Sequence, residues 1–308
     1  MAQVSTSLDE PVRLAVIGGT GLGHLEGFTP VAVVNPETPW GRPASPIHIL
    51  SHQGVQVAFL ARHGLHHQFA PHEVPNRANI AALRHLGVRC VIAFSAVGSL
   101  QEAIKPKDFV VPDQIIDRTK GIRPFTFFEG GVVGHVSFAD PFDAGLSRVI
   151  QSCAEHMDGE GVVLHDKGTL ICMEGPQFST RAESQLYRSW GGSVINMSTL
   201  PEAKLAREAE MAYQVIAMAT DYDCWHSFED VNVEMVSKYM QANSGNAKRL
   251  VGAVLDQLAK LEHSDLVMAR QWDGASRAAV KLMTKAEGRS REAMDKVDYL
   301  FPGFWASS

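Results

Sequence analysis

Several apolar runs in this chain end in residues that could bind an anion or move a proton. Val215 to Ala219 runs into Thr220-Asp221-Tyr222-Asp223. Two carboxylates spaced two apart on a strand would face the same way, and one could be held protonated by its neighbour's charge. Such a pair suits proton donation to a ligand, although a plain turn or cap uses the same residues. Val55 to Leu60 delivers Ala61-Arg62-His63, a planar fork of donors plus an imidazole donor, which suits phosphate. Hydroxyls close other runs: Thr20 within Gly18–Gly23, Ser95 after Val88–Phe94, and Ser198 after Val194-Ile195-Asn196-Met197.

Familiar motifs do not explain these residues. Gly18–Gly23 supplies neither the G-x-G-x-x-G spacing nor a Walker lysine, so it reads as a phosphate cradle or an ordinary tight turn. Four histidines, His63, His66, His67 and His72, raise the question of a metal. Gly64 and Pro71 argue against a helix there, and no carboxylate follows His63 in the metalloprotease arrangement. Anion binding ranks first, surface histidines second, and no metal is expected. Ser95 lacks the G-x-S-x-G elbow of a hydrolase. Phe178, after Glu174-Gly175-Pro176-Gln177, would either stack on a flat ligand or plug the core.

The elements that must position these groups follow from periodicity. Val194-Ile195, a helix opened by Pro201, and Val215–Ala219 read as strand, helix, strand, with polar groups at the carboxyl ends where α/β sheets bind ligands. Further strands are expected over 12–17, 88–94, 109–116 and 168–173, with antiparallel strands across 31–60. Helices are expected over 76–86, 146–157, 181–190, 231–242 and 247–261. Residues 120–142 read as a Gly- and aromatic-rich loop long enough to reach a neighbouring subunit. Residues 1–11 read as a flexible tail, and 262–299 as a charged, helical extension.

The chain has 308 residues, 45% of them apolar, enough for one α/β domain over 12–308. A net charge of −6 without a basic run argues against nucleic acid. Cys90, Cys153, Cys172 and Cys224 show no zinc or disulfide spacing, the N-terminus is no secretory signal, and no apolar stretch spans a bilayer. A soluble protein of a reducing compartment is expected.

In order, the run ends read Gly-Gly-Thr-Gly-Leu, Ala-Arg-His-Gly, Ser-Ala-Val-Gly-Ser, Glu-Gly-Pro-Gln-Phe-Ser-Thr-Arg-Ala-Glu, Ile-Asn-Met-Ser-Thr-Leu-Pro-Glu and Thr-Asp-Tyr-Asp-Cys-Trp. Over residues 12–260 this set resembles the nucleoside phosphorylases. The resemblance implies a single-domain α/β fold: a mixed central β-sheet with a distorted barrel portion, flanked by helices. It implies a homotrimer of the cytoplasm, and also the nucleus, serving purine and methionine salvage. Phosphate would displace adenine from methylthioadenosine, with no metal or organic cofactor and with no nucleic acid or membrane as partner.

The same resemblance implies site roles. Thr20, Arg62, His63, Ser95, Ala96 and Ser198 would contact phosphate, and Met197 the ribose. Phe178 would pack on the base, with Tyr222 beside it, while Asp221 and Asp223 read the adenine edge. Asp221 would donate the proton and Asp223 accept the 6-amino group, the reverse assignment staying open. Ser179 and Asp221 stand where 6-oxopurine relatives carry Glu and Asn. Val233 and Val236 would wall the methylthio pocket, and His135 would serve a neighbouring subunit's site. Ser198 departs from a Thr in close relatives, and Ser237 from a Leu. A phosphorylase of wider range, a nicotinamide-dependent oxidoreductase and a non-catalytic nucleoside binder are the competing readings.

Overall fold

The protein is described by a computed structural model over residues 5–20, 22, 25, 27–226, 233–281 and 283–306, with Val233 by its backbone alone. The first half contains β1 (Leu14–Gly18), β2 (Thr29–Val34), β3 (Ile47–His52), β4 (Val55–Ala61), α1 (Asn76–His85), β5 (Cys90–Ser99), β6 (Phe109–Val110), β7 (Gln114–Arg118) and α2 (Ala144–Ser152). It continues with β8 (Leu164–His165), β9 (Thr169–Met173), α3 (Arg181–Ser189), β10 (Gly192–Asn196), α4 (Thr199–Glu208), β11 (Ala212–Asp221), α5 (Val233–Leu258), α6 (Ser264–Val267), α7 (Ala275–Lys281) and α8 (Arg291–Leu300).

Strands β1, β5 and β11 are almost wholly apolar because both of their faces are covered. Ala15 and Ile17 of β1 join a core with Ile80, Leu83 and Leu205 of α1 and α4. Leu14 and Val16, pointing the other way, join Leu146, Leu250 and Val254 of α2 and α5. The sheet is thus filled between two helical layers, as the expected mixed α/β fold requires.

Its topology sets up the site. The described strands form one sheet of order β2-β3-β4-β1-β5-β10-β9-β7, and β11 pairs with both β5 and β6. Strand β5 forks. Its first half pairs with parallel β1, Leu14 opposite Cys90 through Ile17 opposite Ala93. Its last residues, Gly98 and Ser99, pair instead with antiparallel β10. Parallel β11 follows its other edge throughout. The carboxyl ends of β1, β4 and β10 therefore converge on the middle of β5, where Ser95 and Ala96 lie. Such a switch point leaves a crevice for a ligand.

Three expectations need correction. The strand read over 109–116 is two, because Pro112 interrupts the ladder between β6 and β7. The two helices read over 231–242 and 247–261 are, among the described residues, the single α5. Its Asn-Ser-Gly-Asn stretch resembles a breaker, but those amides face protein: Asn243 donates to the Ala219 carbonyl and Asn246 to that of Asp158. The described part of the N-terminal tail is held, since Ser5 bridges to Val34 and Leu8 packs on the core. The charged segment 262–299 carries α6, α7 and most of α8, and it docks on the rest of the chain. Ser276 donates from its hydroxyl to the Glu208 carbonyl, Arg89 pairs with Asp273, and Val280 and Val297 are fully buried. Residues 120–142 carry no helix or strand, as expected. No described helix is long and apolar enough to cross a membrane.

Candidate active site

A cavity of about 490 Å³ opens at the fork of β5, within the usual size range for small-ligand sites. Thr20, Arg62, His63, Ser95, Ala96 and Ser198 line it, together with Met197, Phe178, Ser179, Val236, Asp221 and Asp223. Residues scattered across the sequence thus meet around one space.

One end is built from donors. Ser95 and Ser198 share a hydrogen bond of 2.9 Å between their hydroxyls. Asn196 donates from Nδ2 to Ser95 Oγ at 2.9 Å and to Thr199 Oγ1 at 2.7 Å, tying β10 to β5. Arg62 is only 1% exposed. Its Nε and Nη2 donate to Glu202 at 2.7 and 2.8 Å, and its Nη1 donates to the Phe94 carbonyl at 2.8 Å. Burial opposes the charge, but Glu202 outweighs it and keeps the guanidinium protonated.

His63 is a correction. Its Nδ1 lies 2.8 Å from the Phe69 carbonyl, which can only accept, so Nδ1 carries the hydrogen. Burial and the Arg62 charge push its pKa down to about 4. The neutral ring then carries its one hydrogen on Nδ1 and leaves Nε2 as an acceptor. Of the four histidines, His63 and His67 line the cavity and stack at 4.5 Å between centroids; His66 and His72 do not line it. Among the described residues, no group of three or more His, Cys, Asp or Glu could hold a metal.

The glycine turn is both a tight turn and a wall of the site. Leu22 N closes it on the Gly19 carbonyl at 3.1 Å, and Thr20 faces the cavity. A Cβ on Gly19 would fall 2.6 Å from both Arg62 Nη1 and the Phe94 carbonyl oxygen. Gly19→Ala is therefore expected to destabilise the fold by about 1–3 kcal/mol through overpacking, read as a lowered unfolding midpoint. Gly21 and Gly23 lie outside the described residues.

The other end is acidic. Asp221 is the last residue of β11, opposite Gly98 across a bulge. The chain then turns, and Asp223 has φ of 50°, so the pair does not alternate along a strand as its spacing suggests. The turn still buries both, each 4% exposed. Thr220 donates to Asp221 Oδ1 at 2.6 Å and the Asp223 N–H to Asp221 Oδ2 at 2.9 Å. Ser184 of α3 donates to Asp223 Oδ2 at 2.6 Å. Burial pushes the Asp221 pKa up to about 6; its neighbour's charge, the expected cause, contributes least. Burial also raises that of Asp223.

Between these ends lie Met197 and Phe178. Arg123 fixes the first by donating to the carbonyls of Met197 and Leu200 at 2.6 and 2.7 Å, while pairing with Glu174. Phe178 is 42% exposed on the cavity rim, so it does not plug the core. Tyr222 does not line the cavity; its ring stacks on His226 at 4.7 Å. The Val233 side chain lies outside the described residues. Ser237 lines a second cavity, which shares Thr20, His67 and Val236 with the first as walls. His135 lies apart, in a surface pocket with Phe125, Phe128 and Val136. Sequence reasoning missed Glu202, Asn196, Thr220, Ser184 and Arg123. All but Arg123 stand within or beside the run ends, yet only the fold shows their partners.

An end lined with hydrogen-bond donors and a buried acid pair thus border one cavity. The chain belongs to the phosphorylase superfamily, whose family model matches residues 13–256. It is 81% identical to the S-methyl-5'-thioadenosine phosphorylase of Fusarium vanettenii over 305 residues, 99% of each chain. Among solved structures, it is similar to a methylthioadenosine phosphorylase from an antarctic soil metagenomic library, with a TM-score of 0.86, 41% identity and coverage of 96% of this chain and 100% of that one. A variant of the adenosine/methylthioadenosine phosphorylase of Schistosoma mansoni, in complex with methylthioadenosine, gives a TM-score of 0.82 at 30% identity, covering 88% of this chain and 99% of that one.

Proposed function

We propose that the cavity binds phosphate at its Arg62 end and the purine of S-methyl-5'-thioadenosine at its Asp221 end. The enzyme catalyses phosphorolysis of S-methyl-5'-thioadenosine to adenine and 5-methylthio-α-D-ribose 1-phosphate. The observation that carries this reading is the shared space: Arg62, Ser95 and Ser198 line the same cavity as Asp221 and Asp223.

The chemistry follows from the placement. Breaking the glycosidic bond builds positive charge on the sugar and negative charge on the purine. Phosphate, held by Thr20, Arg62 and the Ser95 and Ser198 hydroxyls, stabilises the first and attacks the anomeric carbon. Asp221, protonated below about pH 6 by burial, delivers its proton to N7 and relieves the second. Asp223, oriented by Ser184, accepts from the 6-amino group. Met197 packs on the ribose and Phe178 on the base, and Val236 borders the 5' substituent. Phosphate is a co-substrate and no cofactor is required.

The sign of the pH dependence is set by the raised pKa. Asp221 is protonated at low pH and loses its proton as pH rises through about 6. On the free enzyme kcat/KM should therefore fall as pH rises through that range, and this limb should vanish in Asp221→Asn. The same group lowers stability progressively as pH rises from 3.8 to about 6, and by a constant amount above that, because the native state holds a proton the unfolded chain has lost.

The homotrimer belongs to this reading. Ile122, Phe125 and Val133 are 64%, 52% and 42% exposed, all on the segment that also carries His135. Covering them with a second copy would bring His135 toward a neighbouring site.

A second reading, that adenosine is also a good substrate, is favoured by Ser237, Gln241 and Ser244 lining the neighbouring cavity, which shares Val236 with the first. Hydroxyl and amide groups there would accommodate a 5'-hydroxyl. Comparing kcat/KM for methylthioadenosine and adenosine tests both readings. A preference for the thioether supports the first, near equality the second, and turnover of neither overturns both.

A further inference from the structure

We infer that Glu202 is a positioning residue for phosphate: it aims the Arg62 fork, and phosphate affinity depends on that aim more than on net charge. This rests on the reading of the Arg62 end as the phosphate site.

The geometry is specific. Glu202 sits in the first turn of α4, where an acid is ordinarily a solvated complement to the helix dipole. Here it is 0% exposed. Both of its oxygens face Arg62, and Oε1 also accepts from the Tyr213 hydroxyl at 2.7 Å. A guanidinium has five N–H bonds. Nε gives one to Glu202, Nη2 gives one to Glu202, and Nη1 gives one to Phe94. One N–H on each terminal nitrogen is left, on a side chain that lines the cavity. Those are two charged donors for a phosphate in the cavity.

Stability alone does not account for the arrangement. A buried ion pair is often matched or bettered by apolar residues of the same volume. Two charged groups and a tyrosine hydroxyl, all at most 2% exposed and bordering a cavity through Arg62, point to a functional requirement.

Charge counting leads the same way. Glu202 neutralises Arg62, and His63 is uncharged at neutral pH because burial and Arg62 hold its pKa near 4. The described lining also includes the hydroxyls of Thr20, Ser95 and Ser198, with His67, Gln68 and Glu73, and Arg62 is the one arginine or lysine in it. A phosphate dianion thus meets directed N–H and O–H donors rather than a surplus of positive charge. Affinity at such a site is set by donor direction, and Glu202 with Phe94 fixes the direction of the strongest donor.

The test is steady-state kinetics of the full-length enzyme with phosphate and methylthioadenosine varied in turn. Glu202→Gln keeps the shape but turns an amide NH₂ against an Arg62 donor, so the fork is pushed aside. The phosphate KM should rise at least about tenfold, while the KM for methylthioadenosine stays within about twofold. Glu202→Asp, which keeps the charge but falls a methylene short, should lie between Gln and wild type. Tyr213→Phe, which removes only the hydrogen bond behind Glu202, should raise the phosphate KM by about two- to fivefold.

A folded Glu202→Gln enzyme whose phosphate KM is unchanged or lower overturns the inference. Should that variant fail to fold, an unchanged phosphate KM in Tyr213→Phe does so. Arg62→Lys separates the two levels. If it leaves the phosphate KM unchanged, the phosphate reading itself fails. If it raises that KM while the Glu202 and Tyr213 variants do not, only the positioning role fails.

Discussion

Asp221→Asn is expected to lower kcat for methylthioadenosine by about 10²–10⁴-fold, the usual range for loss of a general acid. The fold should tolerate the change. An asparagine can keep its oxygen toward the Asp223 N–H and turn its amide toward Thr220 Oγ1, which then donates to the Val97 carbonyl, already within 3.2 Å. What it cannot do is give up a proton. An amide can donate a hydrogen bond to N7, so substrate affinity should change much less than turnover. Unfolding midpoints and kcat measured on the same preparation check this. A variant with nearly full kcat would remove Asp221 from the chemical step.

Discrimination against 6-oxopurines should be comparably large. Inosine is expected to show kcat/KM about 10⁴-fold below that for methylthioadenosine, on the scale by which a polar site rejects a substrate lacking its partner group. The physical cause is the Asp223 carboxylate, 4% exposed and fixed by Ser184. It can accept from a 6-amino group, whereas a 6-oxo group would set lone pairs against it. Ser179, where 6-oxopurine enzymes would need a longer acid, is itself buried, with its hydroxyl donating to Met173 Sδ. A panel of methylthioadenosine, adenosine and inosine decides the matter, and inosine as the best substrate would overturn the assignment of the acidic end.

What was legible in the sequence, and what was not, divides along a physical line. Runs such as Val88–Phe94 and Val215–Ala219 announce buried strands because continuous burial on both faces demands continuous apolarity. The groups that end them, Ser95 and Asp221, are therefore visible as candidates. Their partners are not visible, because partnership is tertiary. Glu202 reads as an ordinary acid in a first helical turn until Arg62, 140 residues away, is brought against it. The left-handed turn at Asp223 is equally hidden. Spacing places the two acids on one face of a strand, while the chain reaches the same burial by turning at Tyr222. The tautomer of His63 depends on a single carbonyl, that of Phe69, in a loop without periodicity. Helix α5 shows the opposite failure: its Asn and Gly residues signal a break that side-chain hydrogen bonds to the end of β11 and to the loop at Asp158 prevent.

The most direct test supplies purified protein with methylthioadenosine, with and without inorganic phosphate, and follows the products by chromatography and phosphorus NMR. Adenine should appear only when phosphate is present, in step with a sugar 1-phosphate. Adenine released equally well without phosphate, beside free methylthioribose, would contradict the joint phosphate and purine site.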